Sequence, residues 1–201
     1  MKLLFSVFTA VLIFSACAVK HDISILKNGS GDITYTLDMS ALNGLLNENP
    51  TTILEDSVMI EKLKRLEKMD EIESIKIKEL EEGIYTLAYH FKSFKALNNS
   101  CSLMYSESVD KIVPFDYFTQ KDKKTVIFTM PQNPVDEGNV ESLSMLEGFT
   151  FDLNLTFESK IKKLETESGA VLSKDQKSIT YATNLALISS PDFKPEMRIH
   201  F

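Results

Sequence analysis

Polar and apolar residues alternate without interruption from Phe149 to Glu158. Phe149, Phe151, Leu153, Leu155 and Phe157 fall on one side, and Thr150, Asp152, Asn154, Thr156 and Glu158 on the other. Successive side chains of a strand point to opposite faces, so this stretch predicts a strand buried on one face only. The same period recurs where Ile33, Tyr35, Leu37 and Met39 alternate with Asp32, Thr34, Thr36 and Asp38. Ile23 to Leu26 precedes that segment across Asn28-Gly29-Ser30-Gly31, which predicts a tight hairpin. In a second hairpin Ile75 and Ile77 alternate with lysines, Glu81-Glu82-Gly83 turns the chain, and Ile84 to Phe91 returns with Tyr85, Leu87, Tyr89 and Phe91 inward. A third joins Phe115 to Gln120 with Thr125 to Met130 over Lys121-Asp122-Lys123-Lys124. Ser178 to Ile188 and Met197 to Phe201 complete about nine strands.

Between these segments the period lengthens to that of a helix. Met59, Leu63 and Leu66 predict a helix over 56–70, with Glu61 and Arg65 four apart on its wet face. Ser93 is placed to cap a second helix, whose Phe94, Leu97, Cys101 and Met104 form one stripe. Ser40 can cap a short helix to Leu46, and one helical turn is expected near Val140 to Leu146, inside the loop opened by Pro131 and Pro134. Short turns between strands imply largely antiparallel pairing. Helical stripes and one-sided strands bury each other when the helices lie on one face of the sheet. The expected fold is therefore an α+β domain over 23–201, of about nine strands with helices on one face.

The first residues follow another rule. Lys2 is followed by a mostly apolar run from Leu3 to Phe14 and then by Ser15-Ala16-Cys17. Twelve residues are too few for a bilayer core, which needs about 20. The pattern is that of a secretory signal over 1–16. Ser15-Ala16-Cys17 resembles a bacterial lipobox, with Phe14 where Leu is usual, and this implies a lipid on Cys17 and a tether over 17–22. The competing reading is ordinary cleavage after Ala18, with Ala16-Cys17-Ala18 as an A-x-A site. Ala18 after Cys17, with no acidic run nearby, favours the periplasm-facing leaflet of the outer membrane over surface export.

Removing the signal leaves residues 17–201, enough for one domain with a substantial core or at most two small ones. The formal charge is -7, which argues against nucleic acid as a partner. With Cys17 acylated, Cys101 is the remaining thiol, so no disulfide forms within the chain.

Candidate chemistry is sparse. His21, His90 and His200 are scattered and lack metal-ligand spacing, so no metal or other cofactor is expected. They are expected at the surface, His21 in the tether and the other two on polar strand faces. Cys101 lies on an apolar stripe, where a thiol behaves as a small hydrophobe with a raised pKa. Ser30 between glycines reads as a hairpin tip. Glu79, Glu81 and Glu82 occupy a turn, and Asp136-Glu137 a loop, so neither group is placed for acid–base work. The inward aromatics Tyr85, Tyr89, Phe91, Phe149, Phe151 and Phe157 fit a packed core; the alternative is the lining of an apolar ligand cavity. The chain is expected not to be an enzyme.

Several stretches together resemble small Bacteroidetes lipoproteins of unknown function. They are Asn28-Gly29-Ser30-Gly31 leading into Ile33 to Ser40, Gly83-Ile84-Tyr85 running to Phe91 with Phe94 and Leu97-Asn98 behind, and Ile161-Lys162, Gly169, Leu172 to Asp175 and Ile179-Thr180. A more distant similarity is to the mycobacterial LppM domain family. The resemblance implies a lipid-anchored α+β domain, with a Bet v 1-like helix-grip fold in the distant case, and brings no catalytic residues. The expected function is a non-catalytic envelope lipoprotein, binding or structural, whose partners are the membrane and an envelope protein. The alternative is a carrier of an apolar small molecule or lipid between sheet and helices.

Overall fold

A computed structural model describes residues 17–40, 57–106, 108–130, 147–190 and 192–201. The signal over 1–16, the short helix after Ser40 and the turn near Val140 to Leu146 lie outside the described residues.

The first hairpin forms as the glycines and Asn28 dictate. Strand β1 (Cys17–Ile25) pairs antiparallel with β2 (Gly31–Asp38), from Ile25 opposite Gly31 to Ala18 opposite Asp38. In the turn, Asn28 Oδ1 accepts the Ser30 amide at 3.1 Å and the Ser30 hydroxyl at 2.8 Å. A β-carbon at Gly31 would lie 1.8 Å from the Ser24 carbonyl oxygen and 2.8 Å from the Phe91 ring, so only glycine closes this register. The next hairpin joins β3 (Ile72–Glu81) to β4 (Ile84–Phe91) through Gly83 at φ +82°. Two irregularities in its pairing and a row of charged side chains protect the exposed β3 edge.

Strand β7 (Phe149–Phe157) is interior to the larger sheet. It pairs parallel with β1 along its whole length and antiparallel with β10 (Ser178–Asn184). The seven-stranded order is β3-β4-β2-β1-β7-β10-β9, where β9 is Val171–Leu172. A second sheet runs β5-β6-β11-β8, from β5 (Phe118–Asp122), β6 (Thr125–Thr129), β8 (Lys163–Thr166) and β11 (Glu196–His200). Among the described residues the fold is thus α+β, with eleven strands in two sheets and three helices. β8 and β9 go beyond the nine strands expected, and the β1–β7 pair is parallel.

Helix α1 (Ser57–Leu66) and helix α2 (Phe94–Tyr105) touch each other, and α2 also meets β4 and β5. Ser93 Oγ accepts the Ala96 amide at 3.1 Å, the cap predicted for α2. At the other end of α2 Lys62 is only 7% exposed, and its Nζ donates to Met104 O (2.9 Å) and Ser106 O. A cation satisfying the last carbonyls of a helix is favoured by hydrogen bonding and by the helix dipole. Arg65 does not pair with Glu61; it donates to Val109 O at 2.9 Å. The end of the expected 178–188 strand is instead helix α3 (Leu185–Ile188), because Asn184 Oδ1 accepts the Leu187 amide.

The core fills the space between the inner face of the larger sheet, the helices and the second sheet. Leu153, Leu155, Ile179 and Ile33 from the first sheet join Leu66, Leu97 and Leu103 from the helices and Met197 and Ile199 from the second sheet. The expected tether is corrected by this arrangement: residues 18–22 are part of β1, paired on both sides. His21 consequently lies on the inner face with Val19, Ile23 and Ile25, and is buried, where a surface histidine had been expected.

Candidate functional site: a buried tyrosine–histidine cluster and an open hairpin-end pocket

The polar side chains on the inner face collect under α2. Register places His21 between Tyr35 on β2 and Leu153 on β7. The Tyr35 and Phe151 rings meet the imidazole edge-on at 4.8 and 5.0 Å. From α2, the Tyr105 hydroxyl reaches in to 2.9 Å from Nδ1 and 3.1 Å from Nε2, and its single hydrogen serves one nitrogen at a time. Tyr105 is part-exposed as a residue while this hydroxyl is enclosed.

Beside this pair runs a chain of hydroxyls. The Tyr35 hydroxyl lies 3.2 Å from Cys101 Sγ and 3.4 Å from the Tyr89 hydroxyl. Tyr89 donates to Ser100 Oγ at 2.9 Å, and Ser100 donates to Leu97 O at 2.9 Å. If the thiol donates to Tyr35 and Tyr35 to Tyr89, every hydrogen is used once and the series ends on a carbonyl.

Burial keeps these groups neutral. Desolvation lowers His21 to about 4, opposed by the Asp22 carboxylate next to it. It pushes the Cys101 thiol up to about 12, opposed by the Tyr35 hydrogen bond. Tyr35, Tyr89, Tyr105 and Tyr117 are all raised, burial being the main cause. A thiol attacks as thiolate, and an imidazole that never charges near neutrality has no proton to lend. The space beside the cluster, bounded by His21, Tyr35, Cys101, Tyr117, Phe151 and Leu153, is about 10 Å³, room for one water at most. Cys101 is the buried core thiol expected.

A much larger cavity, about 450 Å³, opens at the β1–β2 hairpin. Its floor is apolar, from Ile25, Phe94, Val126, Phe157 and Phe201. Phe157 and Phe201 meet with ring centroids 5.2 Å apart, and Phe94 stacks on Phe118 at 5.5 Å. The rim is polar: Lys27 and Asn28 from one turn, Gln120, Asp122, Lys123 and Thr125 from the β5–β6 hairpin, and Ser159 after β7. Lys27 is engaged by Glu158, whose Oε2 accepts its amide at 3.0 Å and whose Oε1 lies 3.8 Å from Nζ. Asp122 Oδ1 accepts the Lys124 amide at 2.7 Å.

The six aromatics considered as ligand lining do not share one cavity. Phe157 lines the open pocket, Phe151 packs on His21, Tyr89 belongs to the hydroxyl chain and Phe91 is wholly buried. Tyr85 and Phe149 are half-buried at the Cys17 end of the sheet. His90 stays on the polar face, its Nδ1 3.0 Å from Asp32. Among the described residues no group of three or more His, Cys, Asp or Glu converges on a metal position, and no helix is long and apolar enough to cross a membrane.

No family model matches this chain, and no curated protein matches it. Among solved structures it is similar to the NMR structure of the folded domain of LppM from Mycobacterium tuberculosis. The two share 11% sequence identity over 92% of this chain and 88% of that one, with a TM-score of 0.46.

Proposed function

We propose that this chain is a non-catalytic lipoprotein of the cell envelope, anchored by a lipid on Cys17 at the periplasm-facing side of the outer membrane, and that its domain is a binding module. The observation that carries the reading is the contrast between the two polar sites. The cluster of titratable side chains around His21 and Cys101 is buried and held neutral, while the roomy cavity is open and rimmed by polar side chains. A carrier of apolar molecules would need space between the larger sheet and α2. The roughly 10 Å³ beside Leu153 supports the binding module over that second reading. A helix-grip arrangement, with α2 laid across the inner face of the sheet, belongs to the same proposal.

Intact-mass measurement on the membrane fraction tests the anchor. A diacylated Cys17 at the mature N-terminus is expected, and an unmodified chain beginning at Val19 refutes it. Native mass spectrometry of the protein from its own host tests the role: a protein partner or a small polar species supports a binding module, and a bound apolar small molecule or lipid supports the carrier.

A further inference from the structure

Strand β1 leaves no slack behind the anchor. Cys17 is already the partner of Phe149 on β7, and Ala18 is paired on both sides, with Asp38 and Thr150. A lipid on Cys17 therefore holds the sheet itself, and register decides which end of the sheet meets the bilayer. One continuous row crosses that end: Glu81 on β3, Ile84 on β4, Asp38 on β2, Ala18 on β1, Thr150 on β7 and Asn184 on β10. The β1–β2 hairpin and its open pocket lie at the opposite end, since eight residue steps at about 3.3 Å put roughly 26 Å between Cys17 and Ile25.

The row is flanked by apolar side chains that the core does not use. Leu80 stands one residue before Glu81, in an irregularity of the β3–β4 pairing, and is 59% exposed. Leu187 stands on α3, which follows Asn184 directly, and is 52% exposed. β3 is three strands from β1 on one side and β10 two strands on the other, roughly 14 and 10 Å at about 4.8 Å per strand. Between the two leucines, Ile84, Tyr85 and Phe149 are half-buried. Single exposed leucines are ordinary on a protein surface. Two that bracket a residue anchored in the bilayer and fixed in the sheet are placed where a headgroup layer covers them. The exposed Glu81 and Glu82 beside Leu80 are repelled by an anionic leaflet, which suits this end to zwitterionic headgroups.

We propose that the Cys17 end of the larger sheet is a bilayer-contacting surface: Leu80 and Leu187 rest in the zwitterionic headgroup layer of the membrane that holds the Cys17 lipid, and the hairpin pocket is held away from it. This rests on the proposed anchor and adds the orientation of the domain upon it.

The chain contains no tryptophan, so one introduced at a chosen place is a unique reporter. Leu80→Trp and Leu187→Trp report from the two flanks of the anchor, and either serves if the other disturbs folding. Leu26→Trp, 45% exposed beside the hairpin turn, reports from the far end. The full mature chain carrying its lipid is placed in phosphatidylcholine nanodiscs, with and without bromine on the upper acyl chain, and compared with the lipid-free Cys17→Ser chain in solution. Leu80→Trp and Leu187→Trp are expected to lose about half their emission to the brominated lipid and to be quenched by acrylamide about threefold less than in solution. Leu26→Trp is expected to ignore the bromine and to keep its acrylamide quenching. Replacing a third of the lipid by phosphatidylglycerol is expected to weaken the bromine quenching at Leu80→Trp; quenching that holds or rises overturns the headgroup assignment. A chain that stays in the discs with both flank reporters as open to acrylamide as in solution overturns the contact and leaves the anchor standing. Bromine quenching at Leu26→Trp overturns the orientation. A mature wild-type chain that fails to enter the discs removes the anchor and this surface together.

Discussion

His21 makes the fold acid-sensitive in a calculable window. Its ring is 5% exposed and faces Tyr35 from β2, Tyr105 from α2 and Phe151 from β7, with Asp22 the charged neighbour. The folded pKa is about 4 against an ordinary value of 6.5, so between these limits the unfolded chain binds the extra proton. Stability from the neutral ring is complete above pH 6.5 and is lost as pH falls through 4. At 1.36 kcal/mol per unit, the full loss is about 3 kcal/mol, of which about 1 is gone at pH 5.5 and about 2 to 3 at pH 4.5. Such a domain has only about 5–15 kcal/mol to lose. The decisive comparison is urea unfolding of the wild type and His21→Leu at pH 7.5, 5.5 and 4.5. Leucine keeps the volume and removes the titration. Stranding the Tyr105 hydroxyl costs the variant the same at every pH and drops out of the slope. Carboxylates held low, such as Glu73, Glu165 and Asp175, titrate alike in both chains. The wild type is expected to lose stability on acidification faster than the variant by the amounts above. Parallel curves would mean that the imidazole is solvated, and the placement of β1 would be wrong.

Further outcomes follow from the packing. Leu153→Ala, at a site 1% exposed, should cost about 2–5 kcal/mol in denaturant melts, while Asn154→Ala on the polar face should cost under about 1; the reverse order would put the helices on the wrong side of the sheet. Gly31→Ala should lower the thermal midpoint sharply, because Ser24 backbone must move to admit the methyl group, and an unchanged midpoint would contradict the β1–β2 register. Lys62→Met should cost about 1–3 kcal/mol by stranding the carbonyls of Met104 and Ser106; a loss that vanished in high salt would show a surface charge effect instead. Cys101 should react with a thiol reagent only as fast as the domain opens, so the rate should rise with urea; prompt reaction in native buffer would refute its burial.

Legibility in the sequence followed the number of residues that repeat a period. β7 shows five inward apolar positions in nine residues, and β4 shows Tyr85, Leu87, Tyr89 and Phe91; both are strands with those faces inward. α2 has a cap and a stripe, and both are realised. β8 offers Leu164 as its one apolar residue and β9 is two residues long, so their strand character comes from pairing with β11 and β10 and not from pattern. β1 fell between these cases. Val19, Ile23 and Ile25 alternate with Lys20, Asp22 and Ser24, but His21 occupies the inward position between Val19 and Ile23. A polar residue there breaks an apolar count, and the segment directly follows a signal, where a tether is the ordinary expectation. The period of two was present in Lys20, Asp22 and Ser24 all the same, and a test for polar alternation finds it.

The candidate sites were hidden for a different reason. The buried cluster draws His21 from β1, Tyr35 from β2, Tyr89 from β4 and Cys101 and Tyr105 from α2, and each residue alone looks like core or surface. What joins them is cross-strand register, which sets His21 beside Tyr35 and puts the neighbouring β4 hydroxyl within reach of α2. The open pocket is less legible still. Its walls come from a turn after β1, the first residue of α2, the β5–β6 hairpin, the end of β7 and Phe201. None of these shares a period with another, since turns carry no repeating pattern. They meet because β11 pairs with β6, which brings Phe201 beside Phe157, and because Phe94 stacks on Phe118 at the mouth of the same hairpin. Strand periodicity reports the face that a fold buries. The edges where two sheets part, and where a ligand can enter, are set by packing between segments far apart in the chain.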